Sequence, residues 1–168
     1  MLERVPSPEE LRGMSSEEID TLAEDIREFI IRKTAVKGGH LSSNLGTVEL
    51  TIALFRSFDL PKDKVIWDVG HQAYAYKLLS GRMEGFDHLR DLFGMSGFPK
   101  VRESAYDSFD TGHSSTSISA GLGFVKARDI LGENYKVVSV IGDGSMTGGE
   151  AFEALNNAAV QKSNFIII

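Results

Sequence analysis

A chain of 168 residues, 42% of them hydrophobic, is long enough to bury a core of its own. Its formal net charge of −6 comes without any basic run, which argues against nucleic acid or an anionic membrane as a partner. It has no cysteine, which excludes disulfides, thiolate metal sites and cysteine nucleophiles and fits a reducing compartment such as the cytoplasm.

The opening stretch, "MLERVPSPEELRGMSSEE", is acidic and lacks the apolar centre of a secretory signal. No apolar run in the chain approaches the ~20 residues that span a bilayer. Ser15 and Glu18 then stand at capping-box spacing. Ile19, Leu22, Ala23, Ile26, Phe29 and Ile30 follow on one stripe, which predicts a helix stopped by Gly38-Gly39. The next segment, "LGTVELTIALFRSF", reads two ways. Val48, Leu50, Ile52 and Leu54 alternate like a strand, whereas Leu45, Val48, Ile52 and Phe55 step like a helix. Its length and the proline of "DLPKD" favour the helix.

"KVIWDVG" reads as a short buried strand, and "HQAYAYKLLSGR" as a helix stopped at Gly81. Residues 80–111 look irregular, with one short helix around Phe86–Leu92. "SSTSISAGLGFVKARDILG" predicts a helix whose small face (Ala120, Gly121, Gly123) permits close packing. "KVVSVI" is the clearest strand, "GEAFEALNNAAV" a helix, and "NFIII" the start of another strand. Strands alternating with helices predict an α/β fold, a parallel sheet flanked by helices.

The 17 glycines are about a tenth of the chain, above the usual ~7%, and they cluster, some of them just past predicted strands. Ligands of open parallel sheets bind at those carboxyl ends. One strand ends in "DVGH", the next in "IGDGS". An Asp-Gly pair can turn a hairpin, but helical sequence follows Asp143, which favours a ligand for a hard cation. A carboxylate suits Mg²⁺, which takes one or two from the protein and completes its shell with phosphates and water. Gly142 and Gly144 allow a diphosphate close to the backbone, and the helix after them offers its amino terminus. "TGHSSTSISAG" is either a second anion cradle or an ordinary Ser/Thr-capped helix. Three histidines each follow a glycine: His40, His71 and His113. Each can be a hydrogen-bonded structural histidine, and beside a diphosphate site each can also carry proton transfer or phosphate contact. His88 reads as a solvated surface residue.

Four motifs in order, "GGHLSSNLGTVELTIAL", "IWDVGHQAYAYKLLSGR", "FDTGHSSTSISAGLG" and "VIGDGSMTGGEAFEALNNA", together resemble the amino-terminal part of the 1-deoxy-D-xylulose-5-phosphate synthases. These are thiamine-diphosphate enzymes of the transketolase-like superfamily. The resemblance implies that residues 1–168 are the amino-terminal part of a diphosphate-type cofactor-binding domain, incomplete and without the later domains. It implies Mg²⁺ on Asp143, and cofactor contacts from His71, Gly112, His113, Ser114, Gly144 and Ser145. His40 and His71 are the implied catalytic histidines, His40 near the thiazolium. The implied reaction joins pyruvate to D-glyceraldehyde 3-phosphate with loss of CO₂, the first step toward isoprenoids and a source for thiamine, in a cytoplasmic homodimer. The family's second metal ligand, an asparagine, would fall just past Ile168, and the glutamate that activates the cofactor would fall in a later domain. The piece is therefore expected to be inactive alone and to act with the remainder of its polypeptide. Transketolase differs by continuing Gly-His-Pro-Gly where this chain has Gly39-His40-Leu41-Ser42. A transketolase-type two-carbon transferase and a non-catalytic half of a split enzyme are the two alternatives.

Overall fold

The computed structural model describes Leu2 and residues 4–168. Packing divides the chain into two compact units. One takes the chain up to Phe58 and returns for His71–Gly97; the other holds Asp59–Gly70 and Phe98–Ile168.

The first unit is helical: α1 (Pro8–Gly13), α2 (Ser16–Lys37), α3 (Ser42–Leu45), α4 (Val48–Ser57) and α5 (Tyr74–Leu79), with a 3₁₀ turn at Glu84–His88. α2 starts at the expected box: Glu18 N–H donates to Ser15 Oγ, and Ser15 N–H donates to the Glu18 carboxylate at 2.8 Å. Its stripe from Leu22 to Ile30 is buried, and Gly38 ends it at φ 72°. A second capping box, Ser7 with Glu10, starts α1. The sequence reading missed this helix because its one buried residue, Leu11, sets up no period. α4 settles the ambiguous segment as a helix, burying Val48, Thr51, Ile52, Leu54 and Phe55. Phe29 meets Phe86 edge-on at 5.2 Å, and Phe55 meets Tyr76 at 5.3 Å. Such aromatic pairs add about 0.5–1.5 kcal/mol to the burial of their rings.

Two expected helices are corrected. α5 begins at Tyr74 and not at His71, because the His71 and Gln72 carbonyls accept from the Asn44 and Thr47 side chains. The helix expected around Phe86–Leu92 is the shorter 3₁₀ turn, since Arg90 and Phe93 adopt left-handed φ of 64° and 65°.

The second unit carries three parallel strands in the order β1 (Lys64–Trp67), β2 (Val137–Val140) and β3 (Ile166–Ile167). Val65 pairs with Val138, and Val138 with Ile166. Within this unit α6 (Ser117–Leu131) leads into β2, and α7 (Gly149–Gln161) connects β2 to β3. All four residues of β2 are buried, so both faces of the sheet are covered there. Ile66, Val125 and Val137 form one core cluster; Ile118 with Ala151 and Ala154 joins α6 to α7. The close approach expected of the small face rests on Gly121. A Cβ there would lie 2.5 Å from Ser139 Oγ and 2.6 Å from the Phe165 ring, whereas one on Gly123 would meet nothing. Among the described residues no helix is long and apolar enough to cross a membrane.

Candidate functional site

In the second unit the residues expected to bind the metal and the diphosphate lie beyond the carboxyl ends of β1 and β2. Past Ile141, β2 runs into a 3₁₀ turn at Asp143–Thr147 and then α7, so the Asp-Gly pair turns no hairpin. Ser145 N–H donates to the Gly142 carbonyl at 3.0 Å, and Thr147 Oγ1 to the Gly144 carbonyl at 2.7 Å. Asp143 and Gly144 are exposed. A Cβ added at Gly142, Gly144 or Gly149 would meet nothing within 4 Å, and none of these glycines needs a left-handed φ. Neither packing nor conformation therefore asks for glycine at these positions. Their bareness leaves the backbone open to a ligand, which fits a diphosphate. Among the described residues no three His, Asp or Glu side chains gather as a metal cage. A lone exposed carboxylate fits a cation that takes most of its shell from phosphate and water.

Gly148 is a different case. A Cβ there would overlap the Ser115 side chain. Ser115 itself holds a left-handed φ of 71°, unusual for a residue with a Cβ. Its Oγ donates to the Ser145 carbonyl at 2.7 Å, which joins the loop before α6 to the turn after β2.

The residue behind this arrangement is Asp68, one residue past β1 and 1% exposed. Its N–H continues the ladder to the Val140 carbonyl at 2.7 Å. Its Oδ1 accepts from Ser115 N–H at 2.8 Å and its Oδ2 from Ser117 N–H at 3.0 Å. Thr116, at the N-cap of α6, makes no side-chain cap. The Ser/Thr-capped reading of "TGHSSTSISAG" is thus corrected, because the cap comes from a distant carboxylate. Gly112, His113 and Ser114 stay exposed ahead of it, and His113 Nδ1 donates to the Ser114 carbonyl at 2.8 Å. Sequence reasoning passed over Asp68, although an acid ending the apolar strand "IWD" was as visible as Asp143.

In the first unit His40 and His71 come together, their rings 5.3 Å apart and 68° from coplanar. His40 is exposed and His71 half-buried. Their backbones are joined by Asn44, a fully buried residue that the motif reading did not single out. Its Nδ2 donates to the His40 carbonyl at 2.5 Å and the His71 carbonyl at 2.7 Å, while its Oδ1 accepts from Tyr74 N–H at 2.7 Å. Asn44 thus uses both donors and its acceptor on three separate backbone groups. His88 is exposed, 3.4 Å from Asp91, as its sequence context suggested.

A family model described as 1-deoxy-D-xylulose-5-phosphate synthase matches residues 2–168. The chain belongs to the 1-deoxy-D-xylulose-5-phosphate synthase family. Synthases of that name from Clostridium botulinum and Syntrophotalea carbinolica are 56% and 59% identical to it over 168 residues, all of this chain and 27% and 26% of theirs. The chain thus spans about a quarter of the length of these relatives and matches their amino-terminal part. A crystal structure of transketolase from Campylobacter jejuni superposes with a TM-score of 0.77 over 92% of this chain and 28% of that one. At 22% identity that likeness is one of fold, and it agrees with a thiamine-diphosphate-binding fold.

Proposed function

We propose that this chain is the diphosphate- and metal-binding part of a 1-deoxy-D-xylulose-5-phosphate synthase, which joins pyruvate to D-glyceraldehyde 3-phosphate and releases CO₂. The observation that carries this reading is the turn after β2, where an exposed carboxylate stands among glycines that the fold itself does not require. Family membership supplies the reaction. Asp143 would ligate Mg²⁺, with Gly144 and Ser145 against the diphosphate and Gly112, His113, Ser114 and His71 along the cofactor. Thiamine diphosphate, when bound, would supply the carbon nucleophile that takes up the two-carbon unit of pyruvate. His40 and His71 would move or hold protons near the reacting carbon, a role suited to imidazoles whose charge changes near neutral pH.

The direction of β3 supports a metal site completed from further along the polypeptide. Ile141 N–H donates to the Ile168 carbonyl at 2.9 Å, two residues before Asp143. In the full-length polypeptide a residue soon after Ile168 would lie near Asp143, which supports assigning the second metal ligand to the asparagine the family resemblance implies. A cytoplasmic homodimer belongs to the same proposal. The test uses the full-length polypeptide with pyruvate, D-glyceraldehyde 3-phosphate, Mg²⁺ and thiamine diphosphate. Release of CO₂ with formation of the five-carbon ketose phosphate is expected; ketose-to-aldose transfer without CO₂ would overturn the reading in favour of a transketolase.

A further inference from the structure

Resting on the cofactor-binding reading above, we propose that Asp68 and Ser115 are positioning residues that hold the two cofactor-contacting loops of the second unit in register. Asp68 also occupies the amino terminus of α6 as an internal anion, which leaves the diphosphate to the turn after β2 and the start of α7. Four contacts carry this. Asp68 is anchored through its own N–H to the end of β2, and its two oxygens take the Ser115 and Ser117 amides. Ser115 Oγ reaches the Ser145 carbonyl, and Gly148 leaves room for that side chain.

The chemistry follows from the burial. A carboxylate so enclosed needs strong donors, and the Ser115 amide before α6 and the first amide of α6, that of Ser117, give it charge-assisted bonds. The bond to Ser117 uses the first amide of α6, one that an anion at that terminus would otherwise recruit. Ser115 is held in a conformation that glycine would adopt freely. A serine kept there against its own preference is explained by its hydroxyl, the group that bonds the turn bearing Asp143. Strain of this kind persists where surrounding contacts over-determine it. The loop of Gly112, His113 and Ser114 is thereby fixed to the Gly144–Ser145 segment before any ligand arrives.

Ser115→Gly separates positioning from folding. Glycine relaxes the left-handed φ and removes only the hydroxyl and its carbon. Thermal stability of the full-length enzyme should stay within a few degrees of wild type. Calorimetric affinity for thiamine diphosphate with Mg²⁺ should fall by about tenfold, with kcat at saturating cofactor reduced less than threefold. Asp68→Asn turns an amide donor toward one of the two N–H groups. It should weaken cofactor binding at least as much and speed exchange of the Ser115 and Ser117 amides. Equal affinity in wild type and Ser115→Gly would overturn the proposal, whether or not Asp68→Asn folds. Equal loss of kcat and cofactor affinity would overturn it too, since that pattern marks a group needed in the reaction itself. Failure of the wild-type enzyme to bind thiamine diphosphate would instead overturn the functional reading on which the proposal rests.

Discussion

The two units solve one problem with opposite chemistry. Each must hold a loop that carries a Gly-His pair against a helix start. In the first unit a neutral amide, Asn44, joins the His40 and His71 backbones to α5 with three hydrogen bonds. In the second unit a carboxylate, Asp68, joins β1 to α6 with two, and Ser115 extends the connection to the turn after β2. The targets explain the choice. Asn44 faces two carbonyls and one N–H, so it must both donate and accept. Asp68 accepts from the Ser115 and Ser117 N–H groups at and just before the start of α6, where an anionic acceptor is favoured.

The comparison breaks most visibly at Asn44. Asn44→Ala takes that partner from one buried group, the Tyr74 N–H, and from two part-buried carbonyls; an unsatisfied buried group costs about 1–3 kcal/mol, and chemical denaturation of the full-length enzyme should register a loss of about 2–4 kcal/mol. Asn44→Asp should be no better, because its second oxygen would face the His40 and His71 carbonyls. Tolerance of Asp would show that the amide's donors are dispensable. Next in size is Gly148→Ala, whose methyl overlaps Ser115. Overpacking of this kind costs about 1–3 kcal/mol. Pairing it with Ser115→Gly should recover most of that loss, and a double-mutant cycle measures the coupling. Additive losses would mean that the two positions do not press on each other.

Gly144→Ala sharpens the contrast from the other side. Open space surrounds Gly144 and its φ is not left-handed, so stability should change by no more than ~0.5 kcal/mol. Affinity for thiamine diphosphate should nevertheless fall about tenfold, read by calorimetry. The smallest effect concerns acid. The Arg4 guanidinium, helped by the Ser7 N–H, holds the Glu10 carboxyl down to about 2 from an ordinary 4.5. The Ser15 N–H likewise lowers Glu18. A depressed carboxylate stabilises the fold above its unfolded value and loses that contribution as pH falls toward its folded one. Protection against amide exchange, taken relative to the intrinsic rate at each pH, should therefore fall in the first turn of α1 as pH drops from about 4.5 toward 2 and in the first turn of α2 as the pH drops into the acid range, before the amides of β2 respond. Both carboxylates are exposed, so the change should be modest.

Local signals account for much of what was legible. Ser15 and Glu18 announced α2, the β-branched run announced β2, and Gly38-Gly39 marked the end of α2, because caps, periods and left-handed turns are set by neighbours in the chain. The alternation of strands and helices sufficed for a parallel sheet, and the glycines around Asp143 pointed to the turn that the fold leaves bare. The bonds made by Asp68 and Asn44 stayed hidden. Their partners lie 47 and 49 residues away for Asp68, and up to 30 for Asn44. No periodicity reports a bond between residues so distant. The same holds for Gly148, which reads as a helix start until Ser115 is packed against it. By itself the sequence determined which residues could do chemistry; the tertiary structure decided which buried polar groups hold them still, because such a group must find its partners wherever the chain brings them.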